Sequence, residues 1–269
     1  MTARDTQLNQ LRTFVNDNHH IVMKYHDRYY KCLTYCAKTK YRMIELLFLS
    51  ALDAAGGAVP IDAKYQCLNN FRIKLSPLKK KDSLSFNVMA KLFFRDYHSP
   101  ADIQRLSKYL IDSPDYPHLG NKKANLFIKE LVVLGGSNIF HNFNMIDFLP
   151  HLQVPIDSVI RKVYWSLLRV PDKIDASHDE KIQDLAKQLF PDAPIYFDDL
   201  WFWGHFSFKK DQLLSKANIA MIYTDRYIEE AEMSGKNGLA QKLDEFIHIV
   251  AGERKLNQNI TRSITLSNP

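Results

Sequence analysis

The chain has 269 residues, 46% hydrophobic and 25% charged, the balance of an ordinary soluble globular protein with enough length to bury a substantial core. Lys and Arg exceed Asp and Glu by 36 to 30, a net charge of +6 that permits a polyanionic partner such as nucleic acid without requiring one. The opening "MTARDTQLNQ" lacks the apolar segment of a signal peptide, and the most apolar run, "MIELLFLSALDAAGG", is broken by Glu45 and Asp53 and is too short to span a bilayer. No membrane partner is therefore expected, and the chain reads as cytoplasmic.

The helical signals begin at once. "NQLRTFVNDNHHIVMKYH" and "KYRMIELLFLSALDAAGG" repeat apolar residues at three- and four-residue spacing, and the second is expected to stop at Gly56-Gly57. Between them, Cys32 and Cys36 stand one helical turn apart in "CLTYC". No second Cys/His pair with matching spacing completes a metal site, and His19 and His20 are the only nearby candidates. The third thiol, Cys67, leaves an odd number, which suits a reducing compartment and buried thiols rather than disulfides. Metal ligands are not expected, and a four-thiolate iron–sulfur cluster is excluded.

Further along, "FRIKLSPLKKKDSLSFNVM" alternates every second residue and suggests a short hairpin around Lys79 to Asp82, although Leu84, Val88 and Leu92 fit a helix equally well. "SPADIQRLSKYLID" carries a strong helix start, with Ser99 to cap, Pro100 at the first helical position and Asp102 at the positive end. "LGNKKANLFIKELVVLGG" runs from a glycine to a glycine pair, and "PIDSVIRKVYWSLL" begins with Asp157 as a natural cap. "DEKIQDLAKQLF" and "NGLAQKLDEFIHIVAGE" are further amphipathic helices, and the polar tail "NQNITRSITLSNP" is expected to be loosely held. The fold class is all-α.

Two of these helix starts carry groups that could catalyse. Lys122 and Lys123 open the helix after Gly120, where the partial positive charge of a helix N-terminus disfavours an ammonium. Partial burial disfavours it further, so a lysine in that place is disposed toward the neutral, nucleophilic amine. A carboxylate at a helix cap is instead kept ionised by backbone N–H groups, as stabilisation of a cationic sugar requires. Taken alone, paired lysines after a turn are more often solvated surface, and an Asp after Pro-Ile is more often only a cap.

The segments "YPHLGNKKAN" and "VPIDSVIRKVYW" together resemble the helix-hairpin-helix DNA glycosylase superfamily. Its hallmark reads L-P-G-x-G-x-K-x-A-N, followed by a V/I-x-V-D segment at a helix start. Pro117, Leu119, Gly120, Lys122, Ala124 and Asn125 fall on the first pattern and Pro155-Ile156-Asp157 on the second. His118 stands where the hairpin usually has its first glycine. The long interval between lysines and aspartate is similar to the archaeal-type 8-oxoguanine glycosylase branch, whose lysine is followed by Phe four residues later. That pattern selects Lys123 with Phe127, whereas the general pattern selects Lys122. A third alignment, with "LGNKKA" ahead of the hairpin, makes neither lysine catalytic.

The same branch reads its extruded base with an Asp and a Trp one turn apart, and Asp199 and Trp203 in "YFDDLWFWGHF" have that spacing. The resemblance implies two helical lobes with a cleft, one of about residues 41–149 and the other of 1–40 with 150–269. It implies Lys122 or Lys123 as nucleophile, Asp157 as its acidic partner, and DNA contacts from His118, Gly120 and Asn121. No cofactor is implied, and the partner would be double-stranded DNA carrying a modified base, bound by a monomer. The expected activity is that of a DNA glycosylase with lyase activity at abasic sites, acting on 8-oxoguanine or on another base such as a hypermodified phage base. A non-catalytic DNA-binding module on the same scaffold is the alternative from a different class.

Overall fold

The computed structural model describes residues 2–54, 59–81, 83–168, 176–209, 212–213 and 235–251. The described chain is helical, as the periodicity predicts, apart from an antiparallel pairing of Phe208–Lys209 with Gln212–Leu213 and one parallel bridge from Leu84 to Phe140. Among the described residues no helix is long and apolar enough to cross a membrane. The expectations at Gly56-Gly57, at Asp82 and in the tail from Asn257 fall outside the described residues.

Eleven α-helices are described: α1 (Ala3–Cys36), α2 (Lys40–Asp53), α3 (Ile61–Leu75), α4 (Phe86–Phe93), α5 (Ile103–Asp112), α6 (Asn121–Lys129), α7 (Gly136–Ile139), α8 (Ser158–Leu168), α9 (Asp179–Leu189), α10 (Asp199–Ser207) and α11 (Gly235–Ala251). α1 starts earlier than its apolar periodicity suggests because Thr2 and Asp5 cap it reciprocally. The Asp5 N–H donates to Thr2 Oγ1 at 3.1 Å and the Thr2 N–H to Asp5 Oδ2 at 2.7 Å. The Thr2 N–H bond, with a smaller contribution from the Thr2 side chain, holds the Asp5 carboxyl below its ordinary value. Cys32 and Cys36 lie exposed on this helix, so the expectation of buried thiols holds only for Cys67.

The segment expected to form a hairpin is instead α3, a 3-10 turn at Ser76–Leu78 and then α4. Helix wins there because Cys67, Leu68, Phe71 and Leu75 recur at helical spacing and all are buried.

By its internal contacts the chain divides into two compact units. The first comprises Met1–Tyr25, Ser158–Leu185 and Tyr196–Pro269. Its core gathers Phe14 of α1, Phe202, Trp203 and Phe206 of α10, and Phe246 of α11, with Phe14 edge-on to Trp203 at 5.0 Å between centroids. The second comprises His26–Asp157 and Ala186–Ile195. Its core is a ring cluster in which Phe48 stacks on Phe71 at 3.9 Å and Phe127 meets both edge-on at 5.2 and 5.5 Å. Phe127 thereby fixes the roll of α6 against α2 and α3. Glu45, which interrupts the apolar run of α2, is buried in this unit and is held by the guanidinium groups of Arg42 and Arg72.

The glycine pair expected to end the α6 helix does something different. α6 loosens into a π-turn over Glu130–Leu134, closed by the Gly135 N–H donating to the Glu130 carbonyl at 3.0 Å. α7 then follows directly. A Cβ on Gly135 would lie 2.6 Å from Ile139 Cδ1, and one on Gly136 would run into the Phe143 ring, which is stacked on Phe148 at 4.7 Å. Gly136→Ala is therefore expected to lower stability by about 1–3 kcal/mol, read as a fall in melting temperature. An unchanged melting temperature would mean that the Phe143 ring is free to move.

Candidate active site

The connection from α5 to α6 is built of successive tight turns. The Tyr116 N–H donates to the Ser113 carbonyl and the Leu119 N–H to the Tyr116 carbonyl, both at 3.1 Å. Tyr116 and Leu119 point inward and are buried, while His118, Gly120 and Asn121 are exposed. α3 anchors the connection from below: Cys67 Sγ donates to the Pro117 carbonyl at 3.1 Å and Asn70 Nδ2 to the Asp115 carbonyl at 2.9 Å. Ser107 Oγ, hydrogen-bonded to Asn125 Oδ1 at 2.6 Å, ties α5 to α6.

His118 has φ 67°, in the left-handed region. This is the position where the hallmark has its first glycine, and the backbone keeps the conformation that glycine takes most easily. Histidine tolerates it better than most side chains do. Gly120 is the N-cap of α6 at φ −76°, with nothing within 4 Å of a Cβ placed there. The first-turn N–H groups of α6 have no partners within their own helix, so this exposed end is suited to anions.

The two lysines separate. Lys123 is 5% exposed and its Nζ donates to the Leu52 carbonyl, in the last turn of α2, at 2.8 Å. Burial pushes its amine below the ordinary lysine value of 10.5, and the charges of Lys64 and Lys122 push it the same way. Lys122, one step of about 100° around the helix, turns the other way. Its Nζ lies 3.5 Å from Asp157 Oδ2, with the two side chains 22% and 11% exposed. Asp157 follows an extended segment pinned by buried Leu152, Val154 and Ile156, and immediately precedes α8. A lysine and the aspartate of the second motif thus meet within one unit, although 35 positions separate them in the chain.

The depressed amine and the accessible amine are different residues. A lowered proton affinity would favour Lys123 as nucleophile, but its amine is engaged by Leu52 and enclosed. Reach decides the matter, and Lys122 is the lysine a substrate could meet.

The pairing expected of Asp199 and Trp203 is not seen. Trp203 has 0% exposure, packed between Phe14 and Phe202 in the core of the first unit, and offers no face for a base to stack on. Asp199, the first residue of α10, directs its carboxylate to His19 Nδ1 at 2.7 Å, and the His19 ring lies over Tyr196 at 4.1 Å between centroids. Helical spacing put Asp199 and Trp203 on one side of α10, but that side is buried. Nothing local marked His19 as a partner of Asp199, since 180 positions separate them. Among the described residues no three His, Cys, Asp or Glu side chains converge where a metal ion could be held.

No protein-family model, no curated protein and no solved structure matches the chain.

Lys123→Met is expected to lower stability at neutral pH by roughly 1–3 kcal/mol, because the Leu52 carbonyl loses its buried donor. Lys122→Gln removes an ion pair whose side chains are 22% and 11% exposed and is expected to cost about 1 kcal/mol. The pH dependence has a definite sign. The folded protein binds the Lys123 proton more weakly than the unfolded chain does, so a penalty is present below the folded-state pKa and is relieved as pH rises toward 10.5. The stability advantage of wild type over Lys123→Met should therefore grow between pH 7 and about 10, measured by denaturant melts. A difference that shrinks with pH would refute the buried-lysine description.

Proposed function

We propose that the chain is a DNA glycosylase with lyase activity at abasic sites, acting on duplex DNA that carries a modified purine such as 8-oxoguanine. The helix-hairpin-helix glycosylase architecture is part of this proposal. The observation that carries it is the approach of Lys122 Nζ to within 3.5 Å of Asp157 Oδ2, next to an exposed hairpin and the open N-terminus of α6. Each motif is short, and the meeting of their two charged groups supports the reading.

The chemistry follows from the groups present. The hairpin and the α6 N-terminus take backbone phosphates, which position the strand without reading its sequence. The target nucleotide must leave the stack before its sugar can be reached. The Lys122 ammonium first gives one proton to water, and its lone pair then forms the Nζ–C1′ bond as the glycosidic bond breaks. The bonding pair leaves with the base, which takes up the proton that the amine loses. Asp157, anionic beside the sugar, offsets the positive charge that develops at C1′ and O4′ in the transition state. Ring opening, with O4′ taking up a proton from water, gives the iminium, whose acidic C2′ proton passes to water as the 3′ phosphate leaves by β-elimination.

Asp157→Asn tests this division of labour. Asparagine still suits the start of α8, so the fold and the affinity for modified duplex are expected to persist. Single-turnover base release is expected to fall by orders of magnitude, because the lost charge acts only in the transition state. The assay presents duplexes with single modified bases and scores base release and nicking. A folded Asp157→Asn protein that excises at the wild-type rate would refute the glycosylase reading.

A further inference from the structure

α1 ends in two thiols that the candidate site leaves unused. Cys32 and Cys36 are both exposed, whereas Cys67 is buried and donates to the Pro117 carbonyl. The hydrogen-bond ladder of α1 runs through to its end, where the Ala37 N–H donates to the Leu33 carbonyl at 2.9 Å. Cys32 and Cys36 are therefore held four residues apart on one helix face, with Cβ atoms about 5–6 Å apart. A disulfide needs about 3.5–4.5 Å between its Cβ atoms, so the intact helix keeps the two sulfurs from joining directly. An ion between them closes that gap, because each sulfur then spans only half of it.

The donor set selects the ion. Among the described residues no three His, Cys, Asp or Glu side chains converge, so the four ligands of a tetrahedral zinc site are not assembled around this pair. Two thiolates without a third ligand suit a soft monovalent cation that accepts two-coordinate sulfur ligation. We propose that Cys32 and Cys36 together bind one copper(I) ion at the end of α1. On binding, both thiols release their protons to solvent and each sulfur gives an electron pair to the metal, which stays copper(I). The complex carries one net negative charge, and the exposed Lys38, two residues beyond Cys36, supplies a counter-charge. The site stands independently of the glycosylase reading.

The test uses the full, reduced chain without oxygen, and copper(I) supplied as its coloured bicinchoninate complex. One ion per chain is expected to pass to the protein, with the sedimentation coefficient unchanged. Cys32→Ser and Cys36→Ser should each keep the wild-type melting temperature, since both side chains are exposed. Each should weaken copper(I) binding by more than about 100-fold, beyond the usual cost of losing an outer-shell partner. Copper-loaded protein should resist alkylation at Cys32 and Cys36, mapped by mass spectrometry, while the copper-free chain is alkylated at both. Equimolar zinc(II) should not displace the copper, because two thiolates fill only half of its shell. Failure of the ion to leave bicinchoninate would overturn the proposal, as would binding that survives in either serine variant. One ion per two chains with a raised sedimentation coefficient would place the metal between copies and overturn the site within one helix, and displacement by zinc(II) would overturn the two-coordinate assignment.

Discussion

The hydrogen bond from Lys123 Nζ to the Leu52 carbonyl is the constraint on which the candidate site depends. It joins the first turn of α6 to the last turn of α2 and uses a buried amine to satisfy a carbonyl that α2 itself leaves open. Adjacent residues on a helix point about 100° apart, so fixing Lys123 inward obliges Lys122 to face elsewhere. That direction leads to Asp157. The paired lysines therefore divide their tasks: the enclosed residue sets the roll of the helix, and its neighbour faces Asp157. Phe127, four residues beyond Lys123, reinforces the same roll through Phe48 and Phe71.

The connection from α5 to α6 is positioned by a comparable economy of contacts. Cys67 and Asn70 hold its carbonyls to α3, and Tyr116 and Leu119 bury their side chains, which leaves His118, Gly120 and Asn121 outside. The left-handed backbone at His118 survives without glycine because the surrounding turns determine it from both sides. The exposed imidazole there lies beside the N-terminus of α6, in a chain whose net charge of +6 permits a polyanionic partner.

What could be read from the sequence follows from how local each feature is. α2, α5, α6 and α8 declare themselves through periodicity and start signals such as Ser99-Pro100. α3 was obscured because Arg72, Lys74 and Ser76 alternate with Phe71, Ile73 and Leu75 and mimic a strand, although Pro60 and Asp62 were legible start signals ahead of it. Lys122 and Asp157 could be named from their motifs, but choosing between the lysines needed tertiary contacts, since Leu52 lies 71 positions from Lys123. Spacing alone could not tell whether the Trp203 side of α10 faces solvent, and the aromatic residues of α1 and α11 bury it.

The central claim is that Lys122, and not its buried neighbour, is the reactive amine. Borohydride reduction of the wild-type protein on an abasic duplex, followed by nuclease and protease digestion and tandem mass spectrometry, locates the sugar remnant on one residue. The account predicts the added mass on Lys122, with Lys123 unmodified in the same peptide. A remnant on Lys123, or on any amine outside α6, would contradict it.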